Sequence, residues 1–433
     1  MNSIEFIGKK LLVLGGAYQH SKLVEAAHEL GVVVYVIDYL PLEKSPAKLI
    51  ADYHFEIDIY DIDCIVELCE KEKIDGVAAA YLDPCQIPYM KVCERMGYHC
   101  LGNESQYKLL TNKAAFKRFC VENNVDIIPT YEESKFMGNE YYRFPDVFPV
   151  LVKPSDSRGS RGQVICYNKN EVLEAIDFAR SYSSDKKVIV EKYMGQSNDL
   201  QLAYIVLKGE PHLLRVEDRF LGTEQDGLDK LCIATVTPSI CEKDYMMYAN
   251  PLVTKMIKKM GLFNSLVFIQ GFMDGDRCRF YDPGLRLPGN DYDKIYKAIT
   301  NIDIPQAIVK FALCGEFDLD DKNYVLSSSL NKIGSMLFPD VRPGVIQKII
   351  GVDELRKHPN IISVNMLYTE GDQIEESYNV KQRLCEIDIL CDTIGELKEI
   401  ILWIQKHLSV RDTDGNEMIY AKFDVNKLLQ YGK

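Results

Sequence analysis

Residues 147–168 read VFPVLVKPSDSRGSRGQVICYN, and this stretch decides the fold. PVLVK is a short β-rich run ending at Lys153, and GQVICYN is a second one opening at Gly162. The loop that joins them, counted through Gly162, holds three serines, two arginines and two glycines. Such a hairpin has two readings: a plain surface turn, or a flap that wraps a polyanion. In the second, Gly159 and Gly162 let the backbone approach phosphate oxygens, while Ser157, Ser160 and the amides donate to them.

Working outward, LTNKAAFKRFCVENNVDIIPTY (110–131) reads as a helix ending before Pro129. Further upstream, KLLVLGG (10–16), SKLVEAAHELG (21–31) and VVVYVID (32–38) alternate strand, helix and strand, and the alternation recurs through residue 102. Residues 1–112 are therefore expected to form an open parallel sheet with covering helices. Ligands on such sheets sit at the strands' carboxyl ends, here Gly15, Gly16 and Tyr81 to Asp83. Asp38 stands where an acid would hold a ribose, but GGAYQH lacks the spaced glycines of GxGxxG, which argues against a nicotinamide or flavin site. Beyond residue 318, short strands alternate with one amphipathic helix carrying Trp403, which predicts a small α+β domain with the indole in its core.

The chain has 433 residues, roughly three domains at ~150 residues each. Its 47% apolar and 27% charged residues are those of an ordinary globular protein. A net charge of −13 argues against bulk attraction to nucleic acid or an anionic membrane. Two lysines interrupt the first apolar run, so neither a signal peptide nor a membrane span is expected. Thirteen cysteines without CxxC spacing fit reduced thiols and a cytoplasmic location.

Taken together, the segments resemble the ATP-grasp superfamily of carboxylate-amine ligases, the amino-acid ligase and carbamoyl-phosphate synthase group, over roughly residues 8–318. Three signatures carry the resemblance: NKAAFKRFCVENNVDIIPTY, joined to PVLVKP; VIVEKYMGQSNDLQLAYIVLKGEP (188–211); and SLVFIQGFMDGDRCRFYDPGLRLPG (265–289). It implies an N-terminal parallel-sheet domain (1–112), a lid (113–194), a central domain (195–318) and a C-terminal α+β domain (319–433). Lys113 and Lys153 would be the two phosphate lysines, each offsetting repulsion among anionic oxygens. Glu191 and the backbones of Lys192 and Met194 would face the adenine edge, and Asp199, with Asn198 as the competing choice, would grip the ribose hydroxyls.

For the metal, the resemblance implies Mg²⁺, with Mn²⁺ as an alternative ion, held by Asp282 and Gln270. The family usually has a glutamate on the first strand and Glu-x-Asn-x-Arg on the second; here those places read Gln270, Asp282, Gly284 and Arg286. Gln270 is a neutral oxygen ligand and Gly284 offers none. Arg286 would stabilise a developing acyl phosphate. The implied activity is activation of a small carboxylate by ATP, followed by attack of an amine, with release of ADP and phosphate. Small-molecule carboxylate and amine substrates are the expected partners, with no nucleic acid or membrane partner and with room for a homodimer. The drift at positions 270 and 284 motivates a second reading, a regulatory ATP-binding protein; a third is a bicarbonate-activating carboxylase.

Overall fold

The N-terminal alternation folds into four parallel strands, β1 (Lys10–Leu14), β2 (Val33–Asp38), β3 (Tyr53–Glu56) and β4 (Gly76–Ala78), ordered β3-β2-β1-β4. β1 and β2 are buried along nearly their whole length because helices such as Tyr18–Glu29 pack on them. The glycine turn after β1 closes on itself. Gly15 has φ +106°, and a Cβ there would lie 2.5 Å from His20 Cε1. Asp38 accepts the Gly16 N–H at 3.0 Å and the Leu40 N–H at 2.8 Å. The acid that could have held a ribose thus caps its own turn. This computed structural model describes residues 3–137, 147–155, 162–195, 197–222, 231–289, 292–319, 332–376 and 380–432.

Asn112 caps the next helix, Lys113–Glu122, by accepting the Ala115 N–H at 2.9 Å. The decisive hairpin follows. β5 (Thr130–Tyr131), β6 (Val150–Pro154), β7 (Val164–Cys166) and β8 (Val188–Lys192) form an antiparallel sheet ordered β5-β8-β6-β7. Helix Lys169–Ser181 covers one face, burying Val150, Val152, Val172, Ile176 and Val190 in a core of their own. Val150 pairs with Cys166 as a hairpin requires. The tip residues Ser157, Gly159 and Ser160 lie outside the described residues. Gly162 has φ +71°, and a Cβ there would lie 2.8 Å from Tyr182 Cβ, so packing as well as backbone angle demands glycine.

A larger antiparallel sheet carries the rest. Its strands are β9 (Asn198–Leu207), β10 (Glu210–Leu221), β11 (Cys232–Thr237), β12 (Ser265–Asp274), β13 (Arg277–Gly284), β14 (Ile333–Leu337), β15 (Ile361–Met366) and β16 (Cys385–Cys391). They run in the order β13-β12-β9-β10-β11-β14-β16-β15. Three strands beyond residue 318, β14 to β16, join this sheet through β11 and β14, with Val236 opposite Ser335, so no boundary of this sheet falls near residue 318; the short strands Gly344–Val345 with Gln373–Ile374, and Lys348–Ile350 with Ser409–Arg411, form two small sheets of their own. One core cluster unites the N-terminal sheet with β9 and β12; another gathers β14 and β16 with helix Ile394–His407, against which Trp403 packs partly buried. No described helix is long and apolar enough to cross a membrane.

Candidate active site

A cavity of about 550 Å³ opens between the small sheet and the large one. Lys113, Lys153 and Glu191 line it on one side, Asp199, Gln201, Gln270 and Asp282 on the other, and Asp83 reaches it from the N-terminal domain. Segments almost 200 residues apart meet here: Asp83 opens a helix of the N-terminal domain, Lys113 opens another, and Lys153, Glu191, Gln270 and Asp282 lie on antiparallel strands. Leu151 faces Glu191 and Lys153 faces Ile189, which leaves Lys153 and Glu191 as diagonal neighbours on one face.

Three lysines dominate the site's electrostatics. Lys113 and Lys117 stand one helical turn apart on the same face. Lys117 Nζ lies 2.6 Å from Glu191 Oε2 and donates to Thr130 Oγ1 at 3.0 Å. Lys153 Nζ pairs with Glu191 Oε1, and Lys113 Nζ is 3.2 Å from Asp282 Oδ1. Glu191 is 1% exposed. Burial pushes its pKa up, but Lys153 and Lys117 outweigh burial and hold it at about 2. Lys153 is shifted the other way from a fully charged lysine: burial lowers its pKa, Lys113 and Lys117 lower it further, and Glu191 only partly compensates. Asp282 raises the pKa of Lys113. The three ammonium groups outnumber the two carboxylates, so the cluster retains positive charge to offer an anion.

On the opposite wall, a β-bulge shifts the register between Gln270 and Gly271. Gln270 pairs with Asp282 and Gly271 with Phe280, which leaves Tyr281 as the extra residue. Tyr281 and Asp282 consequently both line the cavity. No cluster of three or more His, Cys, Asp or Glu residues suited to a metal ion exists among the described residues. Asp282 and the Gln270 amide oxygen are two hard donors side by side. That set fits Mg²⁺, which takes one or two protein ligands and completes its shell with phosphate oxygens and water.

The other expected residues are engaged with the protein itself. Glu191, expected at the adenine edge, has its carboxylate between two lysines instead. Lys192 donates its N–H to the Pro129 carbonyl at 2.9 Å, so that donor is taken; Met194 is buried and lines the cavity. Asp199, expected on the ribose, has both oxygens occupied: Arg219 lies 2.6 Å from Oδ2, and the Tyr281 hydroxyl donates to Oδ1 at 3.0 Å. Burial raises its pKa to about 6 despite both partners. Arg286 Nε is 2.6 Å from Asp83 Oδ1, and its guanidinium lies 4.5 Å above the Phe268 ring. A Cβ at Gly284 would meet Phe268 Cδ1 at 3.1 Å and Arg286 Cγ at 3.2 Å. Losing a side chain at 284 makes room for this arginine.

Sequence reading missed Lys117 and Gln201 as site residues, whereas Asp83 falls in the Tyr81 to Asp83 segment expected to face a ligand. Lys117 had a signal, its four-residue spacing from Lys113 on one helix face. Arg219 faces Asp199 directly in the β9–β10 register, which no local pattern reveals.

Comparison with known proteins bears on the sequence family and the fold. Residues 112–207 match the sequence model of the carbamoyl-phosphate synthase L chain, ATP binding domain. A formate-dependent phosphoribosylglycinamide formyltransferase of Sulfurisphaera tokodaii is 23% identical over 279 residues, covering 63% of this chain and 68% of that protein. The Bacillus velezensis protein of the same name is matched over only 50% of its length. Among solved structures, the L-amino acid ligase of Bacillus licheniformis superposes with a TM-score of 0.75 at 15% identity, covering 94% of this chain and 99% of that one. The biotin carboxylase domain of the Hydrogenobacter thermophilus 2-oxoglutarate carboxylase, solved with MgADP and bicarbonate, gives 0.75 at 17% identity over 99% and 96%. The chain has the ATP-grasp fold, and its residues 112–207 match the ATP binding domain named by that sequence model.

Proposed function

We propose that the protein is an ATP-dependent ligase that joins a small carboxylate, such as an amino acid, to an amine. The observation that carries this reading is the excess of positive charge where Lys113 and Lys153 line a cavity, with Lys117 behind them on Glu191, and the far wall presents Asp282 and Gln270. A triphosphate between these walls would replace the missing counter-charge on the lysines. A carboxylate oxygen would attack the γ-phosphorus, and the bond to the departing ADP oxygen would break. The carbonyl carbon of the resulting acyl phosphate would then accept the amine, which loses a proton as inorganic phosphate leaves.

Within this scheme the lysines would bind and orient the phosphates, and Arg286, which is held by Asp83 and Phe268 and does not itself line the cavity, would stabilise charge on the transferring group on reaching it from beside Asp83. Mg²⁺, when held by Asp282 and Gln270, supplies neutralisation of phosphate oxygen charge. The loop from Ser157 to Gly162, with its two serines and two glycines, would shield the intermediate from water. No nucleophilic side chain is needed.

ADP release is the test, measured with Mg²⁺ and pooled carboxylates and amines. Lys153→Met, which preserves the side-chain volume beside Glu191, serves as the control. The expected result is ADP formation that requires both a carboxylate and an amine and is lost in the variant. Tight ATP binding with no turnover in any pool would overturn the ligase reading in favour of a regulatory nucleotide-binding protein.

A further inference from the structure

One row of side chains runs straight across four strands on the cavity side of the large sheet. Asp282 on β13 faces Gln270 on β12, Gln270 faces Gln201 on β9, and Gln201 faces Glu217 on β10. Gln270 Nε2 donates to Gln201 Oε1 at 3.0 Å, and Gln201 Nε2 donates to Glu217 Oε1. Arg215 NH2 lies 3.5 Å from the same Glu217 oxygen, and its guanidinium sits 4.2 Å above the Tyr292 ring. Gln201 is 5% exposed, Arg215 5% and Glu217 0%.

The direction of these hydrogen bonds is dictated by their buried end. A carboxylate paired with arginine can only accept. Gln201 must therefore present its NH₂ group to Glu217, which leaves its carbonyl oxygen toward Gln270. Gln270 must in turn present its own NH₂ to Gln201, which turns its carbonyl oxygen away, to the side where Asp282 stands. An amide free to flip would offer a cation its NH₂ half the time. This one is locked oxygen-outward by a relay that ends at a buried ion pair.

We infer that Gln201, Glu217 and Arg215 are positioning residues whose joint effect is to make Gln270 an obligate oxygen donor to the divalent cation of the nucleotide site. This rests on the nucleotide reading above. It also explains how a neutral amide serves where a carboxylate would need no orientation, since both carboxylate oxygens are acceptors.

The experiment is Mn²⁺ binding, followed by the loss of the free-ion electron paramagnetic resonance signal, with the full chain in excess over ADP. Glu217→Gln is compared in the natural background and in a Gln270→Glu background. A glutamine at 217 can donate as well as accept, so the relay loses its direction. In the natural background Mn²⁺ affinity should fall about tenfold, the lower end of the effect for outer-shell partners; with glutamate at 270 the same change should cost less than about twofold. Equal losses in both backgrounds would reduce Glu217 to a structural role and overturn the inference, as would no loss in the first. Gln201→Met keeps the Glu217–Arg215 pair and interrupts the relay, so it carries the same test if Glu217→Gln does not fold. It should also weaken Mn²⁺ about tenfold, and unchanged affinity would refute the relay. ADP binding without metal isolates the nucleotide site: its absence in the natural protein would overturn the nucleotide reading, whereas its presence beside unaltered Mn²⁺ affinity in the variants would overturn the relay alone.

Discussion

Replacing Glu191 by glutamine should loosen the small sheet more than any other single change at the cavity. The carboxylate is 1% exposed and touches the ammonium groups of both Lys117 and Lys153. Its pKa falls from 4.5 to about 2 in the fold. A depressed carboxylate stabilises the fold above its unfolded pKa and ceases to as pH falls through the folded one, so the contribution is complete near neutrality. The shift corresponds to about 3 kcal/mol, and roughly two thirds of it is gone by about pH 3. Truncating one partner of a buried ion pair costs ~3–5 kcal/mol by an independent route, so the two magnitudes agree. Fluorescence of Trp403 would miss the effect, because the indole packs against the C-terminal core rather than the small sheet. The suitable assay is hydrogen exchange at the amides of β6 and β8. In Glu191→Gln their opening free energy at neutral pH should drop by about 3 kcal/mol, the acid dependence below pH 4.5 should vanish, and ATP should restore more protection than in the natural protein because phosphate replaces the lost counter-charge. Unchanged protection at neutral pH, or an acid slope that survives the substitution, would refute the argument.

Two further outcomes follow from the packing. His20 is wholly buried with neither ring nitrogen bonded, and burial lowers its pKa from 6.5 to about 4. Its charged form is disfavoured in the fold, so stability should decline by up to about 3 kcal/mol as pH falls from 6.5 to 4, and His20→Leu should flatten that segment of a urea-denaturation profile. Gly284→Asn, which restores the side chain the superfamily usually carries, should destabilise the protein by about 1–3 kcal/mol in thermal melts, because its Cβ arrives 3.1 Å from Phe268 and 3.2 Å from Arg286; a variant as stable as the natural chain would show that Arg286 does not depend on that gap.

Local chemistry was legible in the sequence. Asn112 and Asp303 both cap the helices they precede, with Asp303 Oδ1 accepting the Gln306 N–H at 2.9 Å. The hairpin at 147–168 forms, and the strand alternation before residue 102 becomes a parallel sheet. Lys113, Lys153, Glu191, Gln270 and Asp282 all reach one cavity. Their partners were not legible, because a partner across a sheet is set by register between strands that may lie anywhere in the chain. Glu191 reads as a residue near a nucleotide base, yet a lysine 74 positions away claims its carboxylate. Arg286 reads as a free cation, yet Asp83, 203 positions earlier, holds its guanidinium.

The same distinction separates position 270 from position 284. Both depart from the superfamily's usual residue, and on sequence alone both subtract from the metal site. In the fold the two departures differ in kind. Gly284 offers no donor, and the Arg286 stem, just beyond the end of β13, takes up the space beside it. Gln270 keeps its donor but loses the symmetry that lets a carboxylate bind a cation in either rotamer. Asymmetry has to be resolved by something that cannot itself flip, and the row through Gln201 ends on a carboxylate with no hydrogen to donate. A glutamine at 270 therefore makes chemical sense only together with Gln201 and Glu217, residues that lie on two other strands and carry no motif of their own.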